Sequence, residues 1–205
     1  MFKNKLISVY ARKKRKFIPT TDSSKTKSPA PNIIARDFSA TKPNEKWVGD
    51  VTFIYTRQGW LYFANVIDLF SRKVIGYSFS SRNDAKLVCD AFEMALVRRK
   101  KPDNFVFHSD RGSTYDSNKF KDLLFKNNIS ASMSRKGNCW DNAVAESFFD
   151  TLKVEVVYQN DFDLKLSFVS AIVDWIEDFY NSKRIHSSIE YCTPNEFEEI
   201  YQLNM

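Results

Sequence analysis

Cysteine, histidine and glycine are all scarce in this sequence of 205 residues. Its three cysteines are far apart and form no CxxC pair, and only two histidines are present. A zinc site built from Cys and His therefore lacks ligands, and the cysteines indicate reduced thiols in a cytosolic protein rather than disulfides. Five glycines against eighteen phenylalanines exclude a fibrous chain and fit a folded globular one.

Long apolar runs are also missing. No stretch approaches the roughly 18 residues that a membrane span needs. The apolar segment at 6–11 is too short for the core of a signal peptide, and a basic stretch follows it where a cleavage site would stand. The sequence therefore predicts a cytoplasmic protein with no membrane partner.

Basic charge is concentrated at one end of the chain. Residues 1–46 contain twelve Lys and Arg against three acidic residues, whereas the remainder is slightly acidic. Such an arm suits the phosphate backbone of nucleic acid, and a solvated tail or targeting segment is the alternative. Its Ser-, Thr-, Lys- and Pro-rich composition is typical of a linker. We therefore expect residues 1–44 to be largely irregular and packed structure to begin near Trp47.

The pattern of apolar runs predicts an α/β protein. Three runs rich in β-branched and aromatic residues, at 47–56, 59–70 and 73–80, are separated by short polar turns and predict an antiparallel meander. Two shorter strands, at 104–110 and 129–134, alternate with helical patterns. The order β-β-β-α-β-α-β-α predicts a mixed sheet, in which crossover units add parallel strands to the meander and helices flank the sheet.

The third helix of this series has an apolar side that should face the core. At about 100° per residue, five residues share one stripe: Ala145, Phe148, Phe149, Leu152 and Val156. Glu146, Asn142, Asp150 and Lys153 fall on the adjoining face. A second long amphipathic helix follows, with an apolar stripe of Leu166, Val169, Val173, Ile176 and Tyr180. We expect a core at 45–158 and a helical extension at 159–205 that packs on it.

Three acidic residues stand where they can converge. Asp50 lies in the first strand, Asp110 ends the fourth, and Glu146 follows in the third helix after 35 intervening residues. Neighbouring strands would bring both aspartates to one edge of the sheet, and a helix packed there would add Glu146. Converging carboxylates repel each other, and hard divalent cations such as Mg²⁺ stabilise them. Two such ions, about 4 Å apart, would bracket a phosphodiester.

Each acid also has a structural interpretation when it is taken alone. Asp50 and Asp110 are compatible with turn or cap residues, and Glu146 with an exposed helix surface. Asp68 also follows an apolar run but precedes a turn, so we expect it to be structural. The joint occurrence of the three acids with the strings around them favours a site.

Other candidate residues lie in two basic segments. A polar, aromatic-bearing loop precedes the third helix, and we interpret it as facing DNA; its alternative is a capping turn with Asp141 as the cap. Its candidate residues are Arg135, Lys136, Asn138, Trp140 and Asn142. Lys183, Arg184 and His186 are candidates for phosphate contacts, or else form a solvated helix end. His108 either orients a metal ligand or phosphate, or is a hydrogen-bonded structural residue.

The strings around these residues resemble one family. W-x-x-D-x-T-x-I at 47–54, H-S-D-R-G-S-x-Y at 108–115, S-x-S-R-K-G-N-x-W-D-N-A-x-x-E-S-F-F at 132–149 and Y-N-x-x-R-x-H at 180–186 carry the resemblance. The family is the second-frame transposase of bacterial insertion sequences of the IS-three type, within the retroviral-integrase-like DDE superfamily. The resemblance implies a ribonuclease H-like fold for the mixed sheet.

By this resemblance, Asp50, Asp110 and Glu146 take the DDE positions and hold two Mg²⁺ ions, for which Mn²⁺ substitutes. Lys153 matches a position expected to touch the DNA of the element end. The implied reaction is cleavage of double-stranded DNA at the element ends by water. The freed 3′ hydroxyl then attacks a phosphodiester of the target DNA, which gives DNA integration and recombination.

The resemblance also implies partners. Pairing of two DNA ends implies a homodimer or a higher oligomer on DNA, in a nucleoid-associated location. Full-length relatives place a helix-turn-helix before the core, partly through fusion with an upstream frame, and residues 1–46 show no such pattern. We therefore expect recognition of the ends to involve the upstream-frame protein. The alternatives are a non-catalytic, truncated DNA-binding remnant and a ribonuclease H-type nuclease.

Overall fold

The computed structural model describes residues 28–160 and 164–205. Most of the predicted basic arm, residues 1–27, lies outside them. In chain order, the strands are β1 (Lys46–Thr56), β2 (Gly59–Asp68), β3 (Val74–Ser80), β4 (Val106–Ser109) and β5 (Ser130–Met133). The helices are α1 (Ala85–Arg98), α2 (Asn118–Lys126), α3 (Ala143–Glu155), α4 (Lys165–Asp174) and α5 (Pro194–Leu203). None of the helices in the described ranges has the length and apolar character that crossing a membrane requires.

The five strands form one mixed sheet in the order β3-β2-β1-β4-β5. β1, β2 and β3 are antiparallel neighbours, whereas β4 pairs in parallel with both β1 and β5. The predicted meander with added parallel strands is therefore confirmed. β1, the first strand of the meander, is therefore also the direct neighbour of β4. This pairing determines where the candidate site residues of both strands lie.

Both faces of the sheet are covered by helices, which creates two apolar cores. Successive side chains of a strand point to opposite faces, so Trp47 packs in the core with α1 and α2 while Val48 packs in the core with α3 and α4. The predicted stripe of α3 is confirmed, since its five residues are all buried in the second core.

The apolar stripe predicted for the next helix is wrong in part. Leu166 is 74% exposed, and the buried residues recur at every fourth position: Phe168, Ile172, Ile176 and Tyr180. After α4 the chain continues as a π-helix over Trp175–Tyr180. Phe168 and Ile172 are buried at the ordinary spacing of an α-helix, and the π-helix continues the same buried side through Ile176 and Tyr180.

Packed structure begins earlier than Trp47, contrary to expectation. Residues 28–45 contain no helix or strand, but Ile34 is buried in the second core. The Ile33 backbone N–H donates to Ser132 Oγ at 2.9 Å, and the Met133 N–H donates to the Pro31 carbonyl at 3.2 Å. This segment therefore covers the outer edge of β5, which would otherwise expose unpaired backbone groups.

Gly76 on β3 allows α1 to pack directly on the sheet, which gives a first prediction. A Cβ at this position would lie 2.3 Å from the Ala91 carbonyl oxygen and 2.8 Å from Ala95 Cβ. We expect Gly76→Ala to lower the free energy of unfolding by about 1–3 kcal/mol, because the helix must move away from the strand. Urea unfolding measures this, with Ser78→Ala on the same strand as the control. Equal stability of the two variants would contradict the close packing.

Candidate active site

Asp50 and Asp110 occupy neighbouring positions on adjacent strands. In the parallel pair of β1 and β4, Gly49 lies opposite Ser109, so the next residue on each chain is an aspartate. Both aspartates are half-buried. Side chains alternate along a strand, so Asp50 shares the face of Val48, which is the face that α3 covers. The sheet thus brings two carboxylates together beneath the helix that carries Glu146.

The backbone fixes one oxygen of each aspartate. Asp50 Oδ1 accepts a hydrogen bond from the Val51 N–H at 2.8 Å, and Asp110 Oδ1 accepts one from the Gly112 N–H at 2.9 Å. A Cβ on Gly112 would lie 2.9 Å from Asp110 Oδ1, so a glycine permits this close approach. Asp50 and Asp110 line the same pocket.

The pKa of Asp50 is raised well above its usual value. Burial is the largest cause, and the negative charge of Asp110 is the next. Glu146 raises this pKa further, while the Val51 hydrogen bond and the charge of Lys153 lower it. The structure therefore brings Lys153 and all three predicted acids within electrostatic reach of one another. Their mutual repulsion favours a bound cation.

Glu146 lies in the first turn of α3, and its side chain is exposed. Its pKa is raised by partial burial first, then by the charges of Asp150 and Asp110. Among residues 28–160 and 164–205, no three His, Cys, Asp or Glu side chains form a closed group that could hold a metal ion. The two aspartates are thus already neighbours. Glu146 lies near them, but its side chain does not form a three-residue metal-binding group with them.

The repulsion at Asp50 predicts a stability effect. A carboxyl group whose pKa is higher in the folded protein than in the unfolded chain destabilises the fold as the pH rises. The effect begins near the pKa in the unfolded chain, which is about 3.9 for Asp. We therefore expect Asp50→Asn to stabilise the metal-free protein by about 1 kcal/mol at pH 8, or about 2–4 °C in Tm, and much less near pH 4. Differential scanning fluorimetry in EDTA measures this.

The control is Asp122→Asn, which changes an exposed aspartate of α2 and should leave Tm unchanged. Added Mg²⁺ should raise the Tm of the wild type more than that of Asp50→Asn. An Asp50→Asn protein that is less stable than the wild type at pH 8 would contradict the electrostatic account.

The loop before α3 is organised around Asp141, whose carboxylate is fully buried. Arg135 donates to it from Nε and Nη2, both at 2.9 Å, and Arg36 donates from Nε at 2.9 Å. The hydrogen bonds from Arg135 hold the pKa of Asp141 far below its usual range. Asp141 is therefore not a helix cap, and Asn142, the cap residue of α3, makes no side-chain capping bond. Arg135 is engaged in this ion pair and is half-exposed.

His108 is fully buried on β4. Its Nδ1 lies 2.8 Å from Ser132 Oγ, and its Nε2 lies 2.8 Å from the Asp141 carbonyl oxygen. Burial lowers the pKa of His108, which keeps the ring neutral. These contacts support the structural alternative for His108 and not the orientation of a metal ligand.

The remaining candidates divide by exposure. Lys136 and Trp140 are exposed on the loop, whereas Asn142 is buried and its Oδ1 has no hydrogen-bond partner among the described residues. Lys183 is exposed on the turn after the π-helix. The structure therefore leaves Lys136, Trp140 and Lys183 accessible to a large ligand.

Arg184 and His186 lie on the same turn, away from the two aspartates. Arg184 Nε is 3.4 Å from Glu155 Oε1. Burial and the charges of Arg184 and Arg72 lower the pKa of His186 to about 4. These residues line a separate cavity beside α3 and not the pocket of Asp50 and Asp110.

Sequence reasoning missed two polar residues beside Asp50. Asn65 lies directly opposite Asp50 on β2, is fully buried, and has no partner for either amide atom within the described ranges. Tyr115 is buried, and its hydroxyl oxygen would lie 3.2 Å from a Cβ on Gly49. Burial and the charges of both aspartates raise the pKa of Tyr115 well above its usual value. The available signal was an Asn inside an apolar strand, which periodicity alone does not flag.

Comparison with known proteins connects this geometry to a family. Two models of the integrase core domain match the chain, at residues 40–139 and 127–194. The transposase for insertion sequence element IS904 of Lactococcus lactis is 43% identical over 169 residues, which are 82% of this chain and 67% of that protein. This chain belongs to the insertion-sequence transposases with an integrase core domain. The resemblance inferred from the sequence strings is thereby confirmed.

A second relative of this family is the transposase InsF for insertion sequence IS3A of Escherichia coli K12. It is 44% identical over 188 residues, which are 92% of this chain and 65% of the relative. The chain therefore spans about two thirds of the length of this transposase.

Solved integrase structures share the fold of this family member. The integrase catalytic core of HTLV-2, described in complex with magnesium, matches 77% of the chain with a TM-score of 0.58 and 18% identity, and is itself 97% covered. A simian T-cell lymphotropic virus intasome described with PP2A regulatory subunit B56 gamma matches 85% of the chain with a TM-score of 0.65 and 16% identity, and 59% of that chain is covered. These similarities confirm the predicted ribonuclease H-like fold.

Proposed function

We propose that this chain is the catalytic core of a DNA transposase that cleaves the ends of a mobile element and joins them to new DNA. The observation that carries the proposal is the adjacent pair Asp50 and Asp110 beneath the helix that bears Glu146. Family membership supports the same chemistry, because the relatives named above are transposases.

The residues at this site fit divalent metal ions. Carboxylate oxygens are hard ligands of the kind that Mg²⁺ prefers. The pKa of Asp50 is raised by burial first and then by repulsion from Asp110, and a cation would relieve that repulsion. Asp50 and Asp110 would hold the metal, and Glu146 would complete the ligand set. We propose two Mg²⁺ ions, with Mn²⁺ as a substitute. When bound, they supply activation of the attacking hydroxyl and stabilisation of the leaving oxygen.

No side chain needs to act as the nucleophile. His108, the histidine nearest in sequence to Asp110, is held by Ser132 and the Asp141 carbonyl and is not available as a base. In the first step, a water oxygen bonds to phosphorus and the bond to the 3′ oxygen breaks, which frees a 3′ hydroxyl. In the second step, that hydroxyl attacks a target phosphodiester. One phosphodiester forms as another breaks, so no external energy source is needed.

Several basic and aromatic residues would hold the DNA. Lys153 lies near the acids, since its charge lowers the pKa of Asp50. We propose that the exposed Lys136, Trp140 and Lys183 contact the backbone, whereas Arg135 acts through its ion pair with Asp141 by fixing the loop. We also propose Asn142 and Arg184 as supporting contacts to the DNA. Phosphate contacts of this kind give salt-dependent affinity.

We further propose that the protein works as a homodimer or higher oligomer, because transposition requires two DNA ends at once. Its substrates would be double-stranded element ends and target DNA, and the upstream-frame protein would contribute to recognition of the ends. Such a protein would act in the cytoplasm at the nucleoid.

The test is strand cleavage and joining on a labelled duplex that carries a candidate element end. We expect both products in Mg²⁺ or Mn²⁺ and neither in EDTA. Binding without cleavage in either metal would favour the non-catalytic DNA-binding alternative. Cleavage of an RNA–DNA hybrid without joining of DNA would favour the ribonuclease H-type nuclease.

A further inference from the structure

A second candidate site lies beside α3, in a cavity that shares no lining residue with the pocket of the two aspartates. An open cavity of about 610 Å³ is bounded by one side of α3 and by residues 184–188 of the turn after the π-helix; the α3 residues are Ala143, Val144, Ser147, Phe148 and Thr151. Arg72, from the turn between β2 and β3, also lines it. This volume is within the range of about 300–1,000 Å³ that is typical of ligand sites.

The cavity is rich in nitrogen-bearing side chains and poor in acids. Arg72, Arg184 and His186 all line it, and both arginines lie close enough to His186 to lower its pKa. No Asp or Glu of the described residues is part of its lining. Glu155 pairs with Arg184 at 3.4 Å from outside the cavity. The field in the cavity therefore favours an anion.

Two of these side chains have buried nitrogens that lack partners. Neither Arg72 Nη1 nor His186 Nε2 has a hydrogen-bond partner within residues 28–160 and 164–205. A buried polar group without a partner is unfavourable, and a ligand that bonds to it after a small rotation of the side chain removes this cost. Arginine binds phosphate oxygens particularly well because its planar group donates two parallel hydrogen bonds. The hydroxyls of Ser147 and Ser188, which also line the cavity, add further donors.

The position of the cavity suits a phosphate of the same DNA that reaches Glu146. Glu146 and Ser147 are consecutive residues, so they point about 100° apart around α3. DNA that crosses α3 presents successive phosphates on each strand. One phosphate can therefore lie at the acids while another lies in the cavity.

We propose that this cavity binds a backbone phosphate of the DNA substrate through Arg72, Arg184 and His186. The choice of DNA as the source of the phosphate rests on the proposed function. The contact anchors the duplex across α3 and fixes its register relative to Glu146.

The first test is NMR of the histidine rings, of which the chain has only two. The full chain is titrated in EDTA, where no cleavage occurs, with inorganic phosphate and, separately, with a short duplex. We expect both ligands to shift the His186 signals, while buried His108 serves as the internal reference. A response to phosphate and none to DNA would overturn the assignment to DNA, and no response to either would overturn the site itself.

The second test places a negative charge in the cavity. Ser188→Glu is compared with Ser188→Gln, which has nearly the same size without the charge. By fluorescence anisotropy in EDTA, Ser188→Glu should bind the duplex about tenfold more weakly than Ser188→Gln. Its plot of log affinity against log salt should be shallower by about one phosphate contact. Equal binding by the two variants would overturn the proposal, whether or not the chain cleaves DNA.

Discussion

Glu146→Gln is expected to lower Mg²⁺-dependent strand joining by about 10³-fold or more, because the substitution removes one of three metal-binding carboxylates. Gln keeps the size and helix propensity of Glu, and the position is exposed on α3, so the fold should be unchanged. DNA binding in EDTA should also be unchanged. The measurement is joining of a labelled element end to target DNA, under single-turnover conditions.

The matched control is Asp150→Asn, one turn further along the same exposed side of α3. Asp150 influences the pKa of Glu146 but has no assigned ligand role. We expect this variant to stay near the wild-type rate. Joining that persists in Glu146→Gln, or that is lost equally in both variants, would contradict the assignment of Glu146.

Arg99→Ala is expected to destabilise the protein by about 3–5 kcal/mol, because it leaves two buried acids without their shared cation. Asp68 and Glu198 are buried, and Arg99 lies between them. Its Nη1 donates to Glu198 Oε2 at 3.0 Å, and its Nη2 lies 3.4 Å from Asp68 Oδ2. Since Glu198 belongs to α5, the loss should detach the C-terminal helix from the end of α1.

The neighbouring arginine provides the control for this second prediction. Arg98 is about one-third exposed and pairs at the surface with Glu177 at 2.7 Å. Surface pairs of this kind contribute roughly 0–1 kcal/mol, so Arg98→Ala should change the free energy of unfolding by about that amount. Urea unfolding of both variants measures the difference. Equal losses would mean that the buried network does not hold α5 in place.

The sheet and the α3 stripe could be predicted because they follow from local patterns. Alternation and turn residues define the meander, and a 3.6-residue period defines the buried side of α3. The pairing of β1 with β4 does not follow from the order of elements alone, since the crossover helix α1 connects β4 to β3, and β2 and β1 lie between those two strands in the sheet. That pairing is what sets Asp50 next to Asp110.

Contacts between distant parts of the chain could not be predicted in this way. Asp141 is held by Arg36, which is 105 positions away, and by Arg135. A local pattern suggested a helix cap for Asp141 and a DNA contact for Arg135, because neither the burial of the loop nor its partners is visible in the sequence. The same reason explains why the buried Asn65 was missed.

The wrong interpretations in α4 and the N-terminal segment also have physical causes. Apolar residues occupy several sides of α4, so more than one apolar stripe fits its sequence. The stripe that is buried differs from the predicted one and continues into the π-helix at Trp175–Tyr180. The composition of the N-terminal segment is that of a linker, but one buried residue, Ile34, and bonds to the edge of β5 are enough to order residues 28–45.

The central claim is that Asp50, Asp110 and Glu146 together hold divalent metal for DNA cleavage. The most direct test is anomalous diffraction from crystals of the chain with a duplex and Mn²⁺. We predict anomalous peaks within about 2.0–2.3 Å of the Asp50 and Asp110 carboxylates, with Glu146 as a further ligand to the metal. Mn²⁺ bound only elsewhere on the protein, with these three carboxylates left without metal, would contradict the account.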